Sequence, residues 1–405
     1  MSSPADNGRP PAPRGETPTV PAHLYVHVPL CAEKCSYCDF FSVTTAHAPV
    51  SPSQVADGLL NQATAWLERG LAPRPLETIY IGGGTPTVLR GYLPPLVERL
   101  TERFGLAAGA EVTVEANPDS LDAELCDALV GAGVTRVSVG MQSLDAGELD
   151  TLGRLHDAEQ ALRAAQAVRA AGLALSVDLM CGLPGQGLRS WARTLTGAIG
   201  TGAEHVSVYP LSLEAGTPLA AAAVIGEVEE PDPDVAADLL LAAEQMLSDA
   251  GFRRYEIANY ARPGFESRHN TAYWTGREYL GVGPGAHGML AASTARAAGV
   301  VVPEGLDAAR VRYSVACDLD AGLTVMPRID IEVLSGSDAL REDVMLGLRL
   351  TRGVAEIAAE GAGVTGALER LAPMGLVERA EGRWRLTRRG WLLANEVFGA
   401  VWVGE

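Results

Sequence analysis

The sequence predicts an α/β protein, an incomplete (β/α)6 barrel followed by a C-terminal winged-helix-like domain. Three observations point there. From residue 23 to about 210, short β-type runs alternate with amphipathic helical stretches, which marks a parallel sheet with right-handed crossovers. Six such units fit, fewer than the eight of a closed barrel. The unusual polar and glycine segments all follow strands, so they gather on one side of the sheet, where α/β proteins keep their sites. A doubly wound sheet is the alternative.

The strands are expected at Leu24–Val28, Thr78–Ile81, Val112–Glu115, Arg136–Val139, Leu173–Leu179 and His205–Tyr209. Helices are expected at Ala56–Leu67, Leu93–Arg103, Leu121–Val130, Ala158–Ala170 and Ser190–Ile199, from apolar residues at three- and four-residue spacing. Ser120 is the expected N-cap of the third, and Gly133 its stop. Five strands run into special segments: Cys31–Cys38, Gly82–Pro86, Glu115–Pro118, Gly140–Ser143 and Cys181–Gly185. Residues 1–22, rich in Pro, Ser and Gly, read as a disordered tail without a secretory leader. Residues 23–250 form the barrel domain and include a further helix at Val235–Leu247. Residues 251–335 form a connecting segment, dense in aromatic, His, Asn and Gly residues over 259–290. Residues 336–405 form the last domain. There, helices at Ala339–Leu350 and Val364–Leu371 precede a hairpin, Leu376–Val377 and Trp384–Leu386, across Gly382.

Composition bounds the function. Of 405 residues, 47% are hydrophobic and 20% charged, which excludes a wholly disordered chain. No run is long enough for a membrane span. The net charge is −18, from 32 basic and 50 acidic residues, so no nucleic-acid partner is expected. The wing carries Arg379, Arg383, Arg385, Arg388 and Arg389, read either as a contact patch or as a solvated face. Six cysteines are too few for a disulfide scaffold, and a cytoplasmic, reduced chain is expected. Cys126 and Cys181 are expected in the core, and Cys317 has no assigned role.

Cys31, Cys35 and Cys38 lie in the spacing C-x3-C-x2-C directly after a strand. A loop this short can aim three thiolates at one small volume, and soft sulfur donors select iron or zinc. Zinc would need a fourth ligand, with His27 or His47 as candidates. A four-iron cluster on three cysteines leaves one iron open.

With Leu24-Tyr25-Val26-His27-Val28-Pro29 ahead of it, this cluster resembles that of the radical S-adenosylmethionine superfamily. Within it, the chain is similar to the branch of oxygen-independent coproporphyrinogen III oxidases and heme chaperones. The branch rests on Gly82-Gly83-Gly84-Thr85-Pro86-Thr87, Glu115-Ala116-Asn117-Pro118, Gly140-Met141-Gln142-Ser143 and Asp178-Leu179-Met180-Cys181-Gly182-Leu183-Pro184. The resemblance implies a [4Fe-4S] cluster on Cys31, Cys35 and Cys38. It also implies S-adenosylmethionine on Tyr25, Tyr37, Gly83, Gly84, Thr85, Glu115, Gln142, Arg154 and Asp178. Glycines at 82–84 would let backbone approach the methionine moiety closely.

Two departures from the oxidases favour the chaperone side: Phe40 stands where they usually carry a fourth cysteine, and few residues precede the fold. His269-Asn270-Thr271-Ala272-Tyr273-Trp274 matches the chaperone motif H-N-x-x-Y-W. The resemblance implies heme contact at His269, Asn270, Tyr273 and Trp274, with Arg268 near a propionate and His287 as reserve axial ligand. A buried polar knot holding the loop to the barrel is the other reading of His269. The expected function is heme transfer to an acceptor protein, with no catalytic residue assigned. The competing expectation is a radical porphyrinogen oxidase.

Overall fold

The computed structural model describes residues 18–304, 307–319, 323–325 and 327–404. Residues 1–17 of the expected tail lie outside them. The last three residues of that tail, Val20, Pro21 and Ala22, are buried, and Val20 N donates to Ala72 O at 3.0 Å.

All six expected strands form. They are β1 (His23–Val28), β2 (Leu76–Gly83), β3 (Leu106–Ala116), β4 (Arg136–Gln142), β5 (Ala174–Cys181) and β6 (His205–Pro210), parallel neighbours in chain order. Three short strands extend the sheet: β7 (Arg253–Arg254), β8 (Asn259–Ala261) and β9 (Leu280–Val282). The order is β9-β1-β2-β3-β4-β5-β6-β8-β7, with β9 parallel to β1 and β8 antiparallel to β6. The two edges do not pair with each other, so the barrel is open.

Alternation places each side chain. In β4, Val137, Val139 and Met141 are buried among the core residues, while Arg136, Ser138, Gly140 and Gln142 line the inner cavity. His205, Ser207 and Tyr209 do the same in β6. The helices cover the outer face. Pro52–Leu67 starts at Ser51, whose side chain caps Gln54 N while the Gln54 side chain answers Ser51 N, a capping box. The third helix runs Ala123–Gly131, and its N-cap is Asp122, not Ser120. Ser120 instead bonds Thr87 Oγ1 at 2.7 Å, a contact across the strand ends that no local pattern announces. Cys126 and Cys181 are buried, and Cys317 is exposed.

A second, antiparallel sheet pairs His287–Ala291, Ala308–Val315 and Ile329–Ser335. Its Val311, Tyr313 and Val315 share the core of the barrel, so packing does not break at residue 250. The last unit has its own apolar cluster, including Leu348, Leu368, Trp384 and Phe398. Its helices Gly336–Leu348 and Thr365–Leu371 lead to the three-stranded wing Val354–Ala355, Arg383–Leu386 and Val377–Ala380. The wing arginines are engaged: Arg379 with Glu356, Arg385 with Glu378, Arg388 with Glu244, and Arg383 and Arg389 with backbone carbonyls.

Candidate functional site

The carboxyl ends of the strands surround a cavity of about 530 Å³. Cys31, Cys35 and Cys38 stand at its mouth. Their loop is tied down from two sides: Ser36 N donates to Leu152 O at 3.1 Å, and Ser36 O accepts from Leu219 N at 2.8 Å. Pairing of Leu30–Cys31 with Val43–Thr44 closes its base. Among the described residues, no three His, Cys, Asp or Glu side chains converge to hold a single ion. A four-iron cluster makes no such demand, because each cysteine binds its own iron. His27, one candidate fourth zinc ligand, has both ring nitrogens taken: Nε2 donates to Phe41 O at 2.8 Å, and Nδ1 accepts from Tyr25 OH at 3.2 Å. The donor set therefore fits a four-iron cluster held by three cysteines.

The glycine turn is forced by crowding. A Cβ on Gly84 would lie 2.5 Å from Leu30 O and 3.0 Å from Cys31 Sγ. A Cβ on Gly83, whose φ is +106°, would meet the His27 ring at 2.8 Å. Gly84 N and Thr85 N donate to Val28 O and Leu30 O, which lashes the turn to the cluster loop. Bare backbone at Gly83 and Gly84 thus faces the cavity beside the sulfurs.

A hydrogen-bonded chain links two of the cysteines. Thr85 Oγ1 donates to Cys31 Sγ at 3.5 Å, and Asn117 Nδ2 donates to Thr85 Oγ1 at 3.0 Å. Arg154 donates to Asn117 Oδ1 at 2.7 Å, to Gly140 O at 2.8 Å, and to Cys35 Sγ at 3.3 Å. Burial pushes the Cys31 and Cys38 thiols above their ordinary range.

Deeper in, Glu115 accepts from Tyr80 OH at 2.7 Å and from Gly83 N at 3.2 Å. Burial raises its carboxyl to about 7, against the lowering effect of the Tyr80 bond. Asp178, held by Ser138 Oγ at 3.0 Å, is also raised by burial. Gln142 lines the cavity in a left-handed conformation, φ 63°, at a bulge in β4. Such backbone strain in a residue with a side chain concentrates at functional sites.

The structure brings Tyr37, Gly83, Gly84, Thr85, Glu115, Gln142, Arg154 and Asp178 to one cavity with the three cysteines. Tyr25 is the exception. It is not among the lining residues and is bonded to His27, with its ring 6.2 Å from that of Tyr80.

The residues expected at heme lie away from the cysteines. The segment forms the helix Arg268–Trp274, which lies across the amino ends of the strands, opposite the cysteines. Glu111 of β3 accepts from the backbone N–H groups of Arg268 and His269 at 3.0 and 3.1 Å, a carboxylate seated on a helix N-terminus. His269 is 1% exposed. Its Nδ1 bonds Thr78 Oγ1 at 2.7 Å and its Nε2 bonds Tyr273 OH at 2.8 Å, leaving no lone pair for iron. This is the buried knot. Arg349 lies over the Trp274 ring at 4.2 Å, so that face is covered as well. Asn270 alone among the four reaches the cavity, at its foot. Seven histidines occur in the chain, and only His47 and His287 are exposed among them.

Sequence reasoning gave no role to Asn117, Tyr80 or Arg136. The signal for the last was present: a charged residue opening a strand whose alternate residues are polar implies a polar interior.

Sheet, sulfurs and glycine turn together define a radical S-adenosylmethionine protein. The Radical SAM superfamily profile matches residues 25–196, and the HemN C-terminal domain profile matches 334–393. The heme chaperone HemW of Mycobacterium tuberculosis is 39% identical over 387 residues, covering 94% of both chains. That of Bacillus subtilis is 32% identical over 391 residues, covering 94% of this chain and 99% of its own. The solved structure of Escherichia coli coproporphyrinogen III oxidase (HemN), a radical SAM enzyme, superposes with a TM-score of 0.74 at 22% identity, covering 95% of this chain and 90% of its own. The chain belongs to the HemW family.

Proposed function

We propose that this chain is a heme chaperone that holds a [4Fe-4S] cluster and S-adenosylmethionine and passes heme to an acceptor protein. The observation that carries this reading is Phe40. It stands at the cavity rim, 64% exposed, where the oxidases usually carry a fourth cysteine. The names of the HemW relatives support the same assignment.

Cys31, Cys35 and Cys38 hold the cluster in this reading. Bare backbone at Gly83 and Gly84 and the Thr85 hydroxyl receive the methionine moiety of S-adenosylmethionine. Glu115, Gln142 and Asp178 receive its nucleoside, while Arg154 braces the cluster loop. Tyr37 walls the mouth. When bound, the cluster supplies one-electron reduction to the sulfonium.

At about 530 Å³ the cavity is of single-ligand size. With S-adenosylmethionine in it, the heme ring sits outside, and only a propionate reaches in. His287, exposed at the start of its strand, offers an accessible imidazole there. The neighbouring Gly285 packs on Phe41 of the cluster loop, where an added Cβ would lie 2.9 Å from Phe41 Cβ. The chaperone works in the cytoplasm, and no helix among the described residues is long and apolar enough to cross a membrane.

The test is anaerobic titration of the reconstituted chain with heme, recording Soret spectra and stoichiometry. One heme per chain is expected. A parallel incubation with coproporphyrinogen III, dithionite and S-adenosylmethionine should yield no protoporphyrinogen. Catalytic turnover there would overturn the chaperone reading in favour of the radical oxidase.

A further inference from the structure

The foot of the cavity holds a guanidinium with no bonded partner among the described residues. Arg136 opens β4 and is 6% exposed, and what it exposes faces the cavity. Among the described residues it has no partner within hydrogen-bond or ion-pair distance. Glu115 and Asp178 act on it only through space. The buried Arg310, by contrast, is paired with both Glu342 and Asp343. Burying a guanidinium without a partner is costly.

Asn270, in the helix beneath, faces the same cavity, and its carboxamide has no partner among the described residues either. His205 beside them is spent: Nδ1 bonds Ser176 Oγ at 2.8 Å and Nε2 bonds Tyr255 OH at 3.0 Å. Two donors without acceptors thus line the end of a cavity whose mouth is fitted for a different group.

We propose that Arg136 and Asn270 form a carboxylate-binding subsite at the foot of the cavity. The planar fork of a guanidinium matches a carboxylate with two parallel bonds. Asn270 adds a neutral donor from the opposite element. The inference rests on this being the S-adenosylmethionine cavity and does not need the heme-chaperone reading. Two sources carry the required group: a tetrapyrrole propionate reaching in, or the amino-acid carboxylate of S-adenosylmethionine, whose methionine moiety would then lie at the foot and not at the glycine turn.

The test compares the reconstituted full chain with its Arg136→Gln and Asn270→Ala variants under anaerobic conditions. Four ligands are titrated: S-adenosylmethionine, its decarboxylated form, heme, and heme dimethyl ester. In one pair, Arg136→Gln should weaken the carboxylate-bearing member by about 10- to 100-fold and leave the other within about twofold. An effect in the adenosyl pair assigns the subsite to the cofactor, and an effect in the heme pair assigns it to a propionate. Equal effects within both pairs, or none, would overturn the proposal and leave Arg136 as the counter-charge of Glu115 and Asp178. Iron content and melting temperature check that each variant folds. Should Arg136→Gln not fold, Asn270→Ala makes the same comparison with a smaller expected drop, about three- to tenfold. If heme does not bind the wild-type chain, the chaperone reading fails while the adenosyl pair still decides on Arg136.

Discussion

Arg154 donates to the sulfur of Cys35 at 3.3 Å, and Asn117 holds that guanidinium in place at 2.7 Å. Hydrogen bonds to cysteine sulfur raise the reduction potential of an iron–sulfur cluster. Asn117→Ala should therefore lower the midpoint potential while the iron content stays full. A redox titration followed by electron paramagnetic resonance reads this directly. An unchanged potential would show the Arg154–Asn117 bond to be scaffolding only.

Cys35 is half-buried in a loop held by Ser36 and by the pairing of Leu30–Cys31. Cys35→Ala should abolish the broad visible absorbance and the iron and sulfide content. Circular dichroism should show a folded chain. Full retention of iron and sulfide would refute the ligand assignment.

Glu115 should make ligand binding depend on pH. Its carboxyl is raised from 4.5 to about 7, so the folded state holds a proton there that the unfolded state has lost. That contribution to stability is complete below pH 4.5 and disappears as pH rises towards 7. Binding runs the other way, because an ionised Glu115 accepts more strongly from a ribose or an ammonium. The affinity for S-adenosylmethionine should fall by up to about tenfold per pH unit below 7. In Glu115→Gln the slope should vanish, as calorimetry across pH 5.5–8.5 (roughly the carboxylate's window) would record.

Gly84 has no room for a methyl group beside Leu30 O and Cys31 Sγ. Gly84→Ala should cost about 1–3 kcal/mol of stability. It should also weaken S-adenosylmethionine binding. Thermal melting and equilibrium titration measure the two effects separately, and wild-type affinity would contradict the close approach of backbone to ligand.

His269→Ala should leave the Thr78 and Tyr273 hydroxyls without a partner and destabilise the chain by about 1–3 kcal/mol. The Soret band should be unchanged. His287→Ala should instead shift or weaken it. The reverse result would return the axial position to His269.

Much of the fold and of the site is legible in the sequence. Six strands and their order follow from alternation, and the cysteine and glycine signals survive because each has few ways to be satisfied. Strands such as Arg253–Arg254 and Asn259–Ala261 were not legible, being too short for a period and fixed by what lies beside them. The sheet of Ala308–Val315 was missed for a related reason: its partners are other short segments of the same irregular region. His269 has two readings in the sequence because imidazole serves a knot as readily as a metal, and its bond to Thr78, 191 residues away in sequence, favours the knot. Arg136 was passed over because one strand does not reveal whether its neighbours leave a guanidinium unpaired.

The helix Arg268–Trp274 stoppers one end of the chamber, and its consequence is a queue. If ligands enter beside the cysteines, a group bound at Arg136 has to come in before anything seated nearer the mouth and leave after it.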